Sequence, residues 1–311
     1  MRRFLKGFFI SASTLLIIFG LTVGGLNIAK YFIYSDYFDS RTVICKNPGL
    51  SDGFVCQGIA ASEENGVFLV SGYMKDKSAS RIYVTNEKNE SYFVSLYKGQ
   101  KAFTGHAGGI ATTADTVYIA SGSKIYTVSI SDILSAERGD MIDIGEGVKV
   151  NNNASFVFTD DTHLYVGEFN DGEKYVTEHT FENETGTYSA IITKYSLSDL
   201  STPVKIYSIR DKVQGACFTP DGKIVLSTSY GISDSVYYYY NEAEATVIPG
   251  AELDGMPIYA LTTPTRVIKG PAMSEDMDYY NGMAISLTES ASDKYIFGKL
   301  FFANKIYGLD L

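Results

Sequence analysis

The chain has 311 residues, 36 acidic against 26 basic side chains, three cysteines and no tryptophan. A net charge of −10 opposes polyanionic partners and excludes nucleic acid as the expected ligand. Three cysteines without a C-x-x-C spacing exclude a disulfide framework and a paired-cysteine metal site.

Arg2, Arg3 and Lys6 precede an uncharged stretch, Phe8 to Ala29, closed by Lys30. As a helix rising ~1.5 Å per residue this stretch spans about 33 Å, enough for a bilayer core of roughly 30 Å. The basic flank puts the amino terminus in the cytoplasm and the rest outside. A secreted chain is the alternative, with Val23 and Gly25 as small residues for signal cleavage. The stretch is longer than a signal core and has no clear A-x-A, which favours an uncleaved single-pass membrane anchor. The expected organisation is a basic stub and anchor over 1–30, a linker over 31–40 and an extracytoplasmic domain over 41–311. Four basic and no acidic residues lie at or before Lys30, so the remainder carries 22 basic against 36 acidic side chains, a net −14. Cys45 and Cys56 lie close together in the oxidising compartment and are candidates to bond, whereas Cys217 reads as a small buried residue.

Five segments then repeat one pattern of short run, tight turn and apolar run: Gln57 to Ser71, Gly108 to Ser121, Asn153 to Gly167, Gln214 to Ser227 and Glu275 to Ser286. Turns such as Asn65-Gly66 and Pro220-Asp221-Gly222 are strong hairpin signals. Third strands follow at Ser80 to Thr85, Ser123 to Ile130, Ala190 to Leu197, Ser235 to Tyr240 and Ala303 to Leu309. Fourth strands are readable at Tyr92 to Tyr97, Val204 to Ile209 and around Thr265 to Lys269. The hairpins open 51, 45, 61 and 61 residues apart, close to the period of a four-stranded β-propeller blade. The spacing predicts an all-β propeller of five blades, or six if the stretch from Tyr237 to Lys269 holds a degenerate one. Arg41 to Cys45 is an orphan strand that completes the last blade, and Ser131 to Glu137 is a short helix between blades.

Aligned, the blade openings place Gln57, His106, Asn153, Gln214, Glu275 and Asp276 around one mouth of a central tunnel. The adjoining column, Gly58, Gly109, Ala154, Gly215 and Asp276, is small in four copies of five, as crowding at a narrow axis requires. His106 offers a general base or metal ligand, or else a hydrogen bond supporting the Gly108-Gly109 turn. His163 and His179 read as solvated. Asp171, Glu173, Glu178, Glu182 and Glu184, in an acidic insertion from Glu168 to Tyr188, could offer oxygen atoms to calcium but without a fixed loop spacing. The tyrosine run Tyr237 to Tyr240 reads as a strand packed on both faces.

The hairpin openings, the Q-G-I-A and G-H-A-G-G-I-A phrases and the T-P-D-G turn at Thr219 to Gly222 resemble the propeller superfamily of gluconolactonases, strictosidine synthases and paraoxonases. Members commonly have six blades, and their hydrolases hold a divalent ion on the axis with Glu, Asn and Asp side chains. The resemblance implies Ca2+ on the axis with Asn153, Glu275 and Asp276 as ligands and His106 as catalytic base. Gln57 and Gln214 depart from that set and are candidates to bind a ligand or cofactor. Two functions follow as expectations. One is an anchored module binding a protein, glycan or small ligand; the other is a metal-dependent lactonase or esterase.

Overall fold

A computed structural model describes residues 2–295 and 303–311. Its strands form five antiparallel blades, each beginning at the axis and stepping outward. The first runs through Phe54–Ser62, Val67–Met74, Arg81–Thr85 and Ser91–Lys98, the second through Gly109–Thr112, Thr116–Ser121, Lys124–Ser129 and Val148–Lys149. The third is built from Phe156–Thr159, His163–Gly167, Ala190–Ser196 and Asp199–Ile209, the fourth from Val213–Phe218, Lys223–Thr228, Ser235–Asn241 and Arg266–Gly270. The fifth takes Ser274–Tyr280, Met283–Thr288 and Lys305–Asp310 from one end of the chain and Arg41–Lys46 from the other. Arg41 faces Leu309 and Lys46 faces Lys305 in that closing pair, so the expected orphan strand seals the ring.

Two-residue periodicity explains how the blades hold one another. Along the first inner strand Ala60 packs into a cluster with Ile110 and Val117 of the second blade, while Ile59 packs with Ile285 and Leu287 of the fifth. The same division places Val157 against the second blade and Phe156 against the fourth. At the axis the strands approach backbone to backbone. A Cβ on Gly58 would lie 2.7 Å from the Ile110 nitrogen, one on Gly109 2.5 Å from the Val157 nitrogen and one on Gly215 2.4 Å from the Asp276 Cα. The small-residue column is therefore a steric requirement of the ring.

The stretch from Tyr237 to Lys269 contains no sixth blade. Its hairpin, Thr246–Leu253 and Met256–Ala260, widens the third blade through a parallel pairing with Asp199–Ile209. Met141–Asp143 similarly joins the outer edge of the first blade in parallel. The Asp254-Gly255 turn marks the hairpin itself, but its parallel docking on blade three, like that of Met141–Asp143 on blade one, leaves no turn signal between the partners. The expected short helix is present as Ile130–Ser135, and the tyrosine run forms the third strand of blade four, with Tyr237, Tyr239 and Tyr240 buried.

Before the ring, one helix spans Arg2–Ile33, and its portion Ser13–Ile33 is long and apolar enough to cross a membrane. The stretch read as a linker is helical too. Ser35–Ser40 packs Tyr37 against Tyr237 and Tyr307, in the groove between blades four and five, and the Tyr34 hydroxyl donates to Asp234 at 2.8 Å. All three cysteines are free and buried, so Cys45 and Cys56, the candidates to bond, stand as separate thiols. The Cys56 sulfur lies 3.1 Å from Asn47 Nδ2 and 3.3 Å from the Thr288 carbonyl oxygen, and burial pushes its thiol well above the usual range.

Candidate functional site

One end of the tunnel opens into a cavity of about 900 Å³. Gln57, His106, Asn153, Gln214 and Glu275 all line it, so five of the six singled-out residues meet there. Local backbone geometry explains how. The register slips between Cys56 and Gly58, between Val213 and Gly215, and between Ser274 and Met277. Gln57, Gln214 and Glu275 each sit in one of these bulges, where the extra residue is freed from the ladder and re-aimed.

Asp276 is the exception. The bulge turns Glu275 to the cavity and Asp276 to the axis, where its Oδ2 accepts from the Ile59 and Ile110 amides at 3.4 and 3.3 Å. Those amides belong to the open inner edges of blades one and two, which have no further strand to pair with. Asp278 does the same two residues on, accepting from the Ala61 amide at 2.7 Å. These carboxylates tie blade five to blades one and two across the axis. Burial raises the pKa of Asp276 well above its usual range, and burial brings Asp278 up to about 7.

The cavity holds chemistry that the blade openings do not reveal. Gln57 Nε2 donates to Glu289 at 3.0 Å and to the Cys56 carbonyl at 2.9 Å. Burial raises Glu289 to about 7, while burial and then the charges of Glu289 and Asp276 raise Glu275 well above the carboxylate range. Lys294 donates to the Tyr73 hydroxyl and lies 4.7 Å from that ring and 4.8 Å from the Tyr295 ring. His106 stacks on Tyr73 with centroids 4.8 Å apart and planes within 11°. Though one face meets solvent, the cavity wall desolvates it, and this together with Lys294 and Lys174 holds its pKa below the usual value. Phe169, Tyr175 and Tyr230 form the outer lip. A signal for Tyr73, Tyr230 and Glu289 was available: the second strand of every hairpin returns to the mouth where the first began.

The expected calcium ligands do not fit an axial ion. Asp276 faces backbone amides, and Asn153 is exposed with its Oδ1 accepting from Ser123 at 3.3 Å. Among the described residues no cluster of three or more His, Cys, Asp or Glu side chains is placed to hold a metal. The acidic insertion behaves likewise, since Asp171 Oδ1 accepts from the amides of Glu173, Lys174 and Tyr175 at 2.8–2.9 Å. His179, expected in solvent, is partly buried with Nδ1 3.0 Å from both oxygens of Glu168. Glu168 is itself buried and accepts from the Asn153 amide at 3.0 Å, pinning the insertion to the third blade opening.

No family model and no curated protein matches the chain. Among solved structures it is similar to the PQQ-bound aldose sugar dehydrogenase of Streptomyces coelicolor, at 17% identity over 80% of this chain and 78% of that one, with a TM-score of 0.44. A putative glucose dehydrogenase of Thermus thermophilus matches at 12% identity over 86% and 99% of the two chains, TM-score 0.44. The WD40 β-propeller domain of Doa1 matches at 10% identity over 79% of each, TM-score 0.42. The chain is a β-propeller, and its likeness to these proteins is one of fold.

Proposed function

We propose that the protein is a membrane-anchored, extracytoplasmic binding module that holds a small polar ligand in the end cavity. The observation that carries this reading is the lining itself. Tyrosine rings supply flat contact area at low entropic cost, and the amides of Gln57, Gln214 and Asn153 offer paired donors and acceptors. The acids among them, Glu275 and Glu289, are held toward their neutral forms and act as further hydrogen-bonding groups. Stacking surface plus uncharged donors and acceptors suits a polyhydroxylated molecule, a saccharide by chemistry. The long apolar amino-terminal helix with its basic flank supports the anchor.

The hydrolase reading keeps His106 on the same cavity wall as Glu275, but the axial cation it calls for has no converging ligand set among the described residues. Titration calorimetry of the full chain in nanodiscs against a panel of mono- and disaccharides separates the two. Binding should weaken about tenfold in Tyr73→Ala or Gln57→Ala, the loss of ~1.4 kcal/mol. No saccharide binding, together with lactone hydrolysis that Glu275→Gln abolishes, would favour the enzyme instead.

A further inference from the structure

The two ends of the tunnel differ in a way that neither the cavity nor the anchor explains alone. At the cavity end the lip carries exposed apolar side chains on two neighbouring loops: Ile232 is 71% exposed and Val176 62%, beside Tyr175 and Tyr230. Charged heads of both signs flank them: Lys174 lies 4.8 Å from the Tyr175 ring and Lys212 5.7 Å from the Tyr230 ring, beside the carboxylates Asp171 and Glu173. At the other end the turns present Glu63, Glu64, Asp115, Asp160 and Asp161, and among the described residues Lys194 is the only cation lining that mouth.

The anchor meets the propeller at the cavity end. Tyr34 bonds Asp234, which lies two residues after Ile232 and immediately before the strand Ser235–Asn241. That strand starts at the cavity end, as Ser235 stands next to Gly270 and Thr228 next to Val236. From Tyr34 back to Ala29, the last residue of the uncharged span, a helix covers about 8 Å. Exposed aliphatic and tyrosine side chains with lysines among them match the interfacial layer of a bilayer. The opposite mouth, with those five carboxylates against one lysine and no such exposed apolar side chains among the described residues, would be repelled by anionic headgroups.

We infer that the lip formed by Tyr175, Val176, Tyr230 and Ile232 docks on the lipid bilayer, so that the ligand cavity opens toward the membrane and the acidic mouth away from it. This rests on the anchored reading given above. The absence of tryptophan allows single reporters in the full chain, reconstituted in phosphatidylglycerol-containing vesicles. Ile232→Trp and, independently, Val176→Trp should show blue-shifted emission and quenching by brominated lipid. Ala114→Trp, in an exposed turn at the acidic end, should stay quenchable by aqueous iodide. Docking is overturned if the lip reporters are as open to iodide as Trp at 114, or if Trp at 114 is the one that lipid quenches. Carbonate extraction separates the causes: a chain that stays with the vesicles while its lip is iodide-accessible retains its anchor and loses only the docking. A chain released by carbonate loses both.

Discussion

At the scale of single residues, the buried carboxylates carry the clearest consequences. Asp278 and Glu289 have pKa values raised to about 7, so between roughly pH 4 and pH 7 the folded protein holds protons that the unfolded chain releases. Stability therefore falls as pH rises through that window. The His179 pKa is raised by its hydrogen bond to Glu168 against the opposing pull of burial, and its contribution is also lost as pH rises. Thermal denaturation should give a higher midpoint at pH 5 than at pH 8, and Asp278→Asn should flatten the slope. A midpoint independent of pH over that range would contradict the assignment. For Asp160 burial acts upward, but hydrogen bonds from Thr162 and Tyr165 outweigh it, so its contribution disappears only in stronger acid. Replacing Glu168 with Ala strips the partner from His179 and the Asn153 amide and should cost about 3 kcal/mol, measured by urea unfolding. Gly109→Ala sets a methyl against the backbone of blade three and should cost ~2–3 kcal/mol by the same measurement.

At the scale of elements, the short helix Ser35–Ser40 is where sequence and structure diverge most usefully. Tyr37 is 2% exposed and stacks on Tyr237 at 5.9 Å, so Tyr37→Ala should cost about 3–5 kcal/mol and loosen the groove between blades four and five. Limited proteolysis between Ile33 and Arg41 should accelerate in that variant. Tyr37 was not legible in the sequence because six residues give no helical period, and its partners Tyr237 and Tyr307 lie some 200 and more positions away. The blades themselves were legible, down to the closing strand, because each hairpin carries its own turn chemistry and its own two-residue alternation. The mouth residues were legible as a column for the same reason. The different fates of Glu275 and Asp276 were not, since a slip between Ser274 and Met277 leaves no mark on residue type.

At the scale of the whole molecule, the cavity, the lip and the acidic end give the propeller a polarity along its axis. With the lip docked as proposed, the cavity favours a ligand presented on a membrane, such as a glycosylated lipid head, over one free in solution. Vesicles carrying such a lipid should therefore compete for the site more strongly than the same saccharide in solution, as measured by displacement from the full chain. Equal competition would separate the ligand site from the membrane-facing arrangement.

The ring is sealed by Arg41–Lys46 lying against Lys305–Asp310. Biosynthesis thus delivers one half of the seam more than 250 residues before the other. The early strand has no partner until Lys305–Asp310 has been made, and a contact of such sequence separation is expected to slow folding. A chain stopped before residue 305 leaves Arg41–Lys46 an unpaired edge, which should be cut by protease more readily than in the full chain.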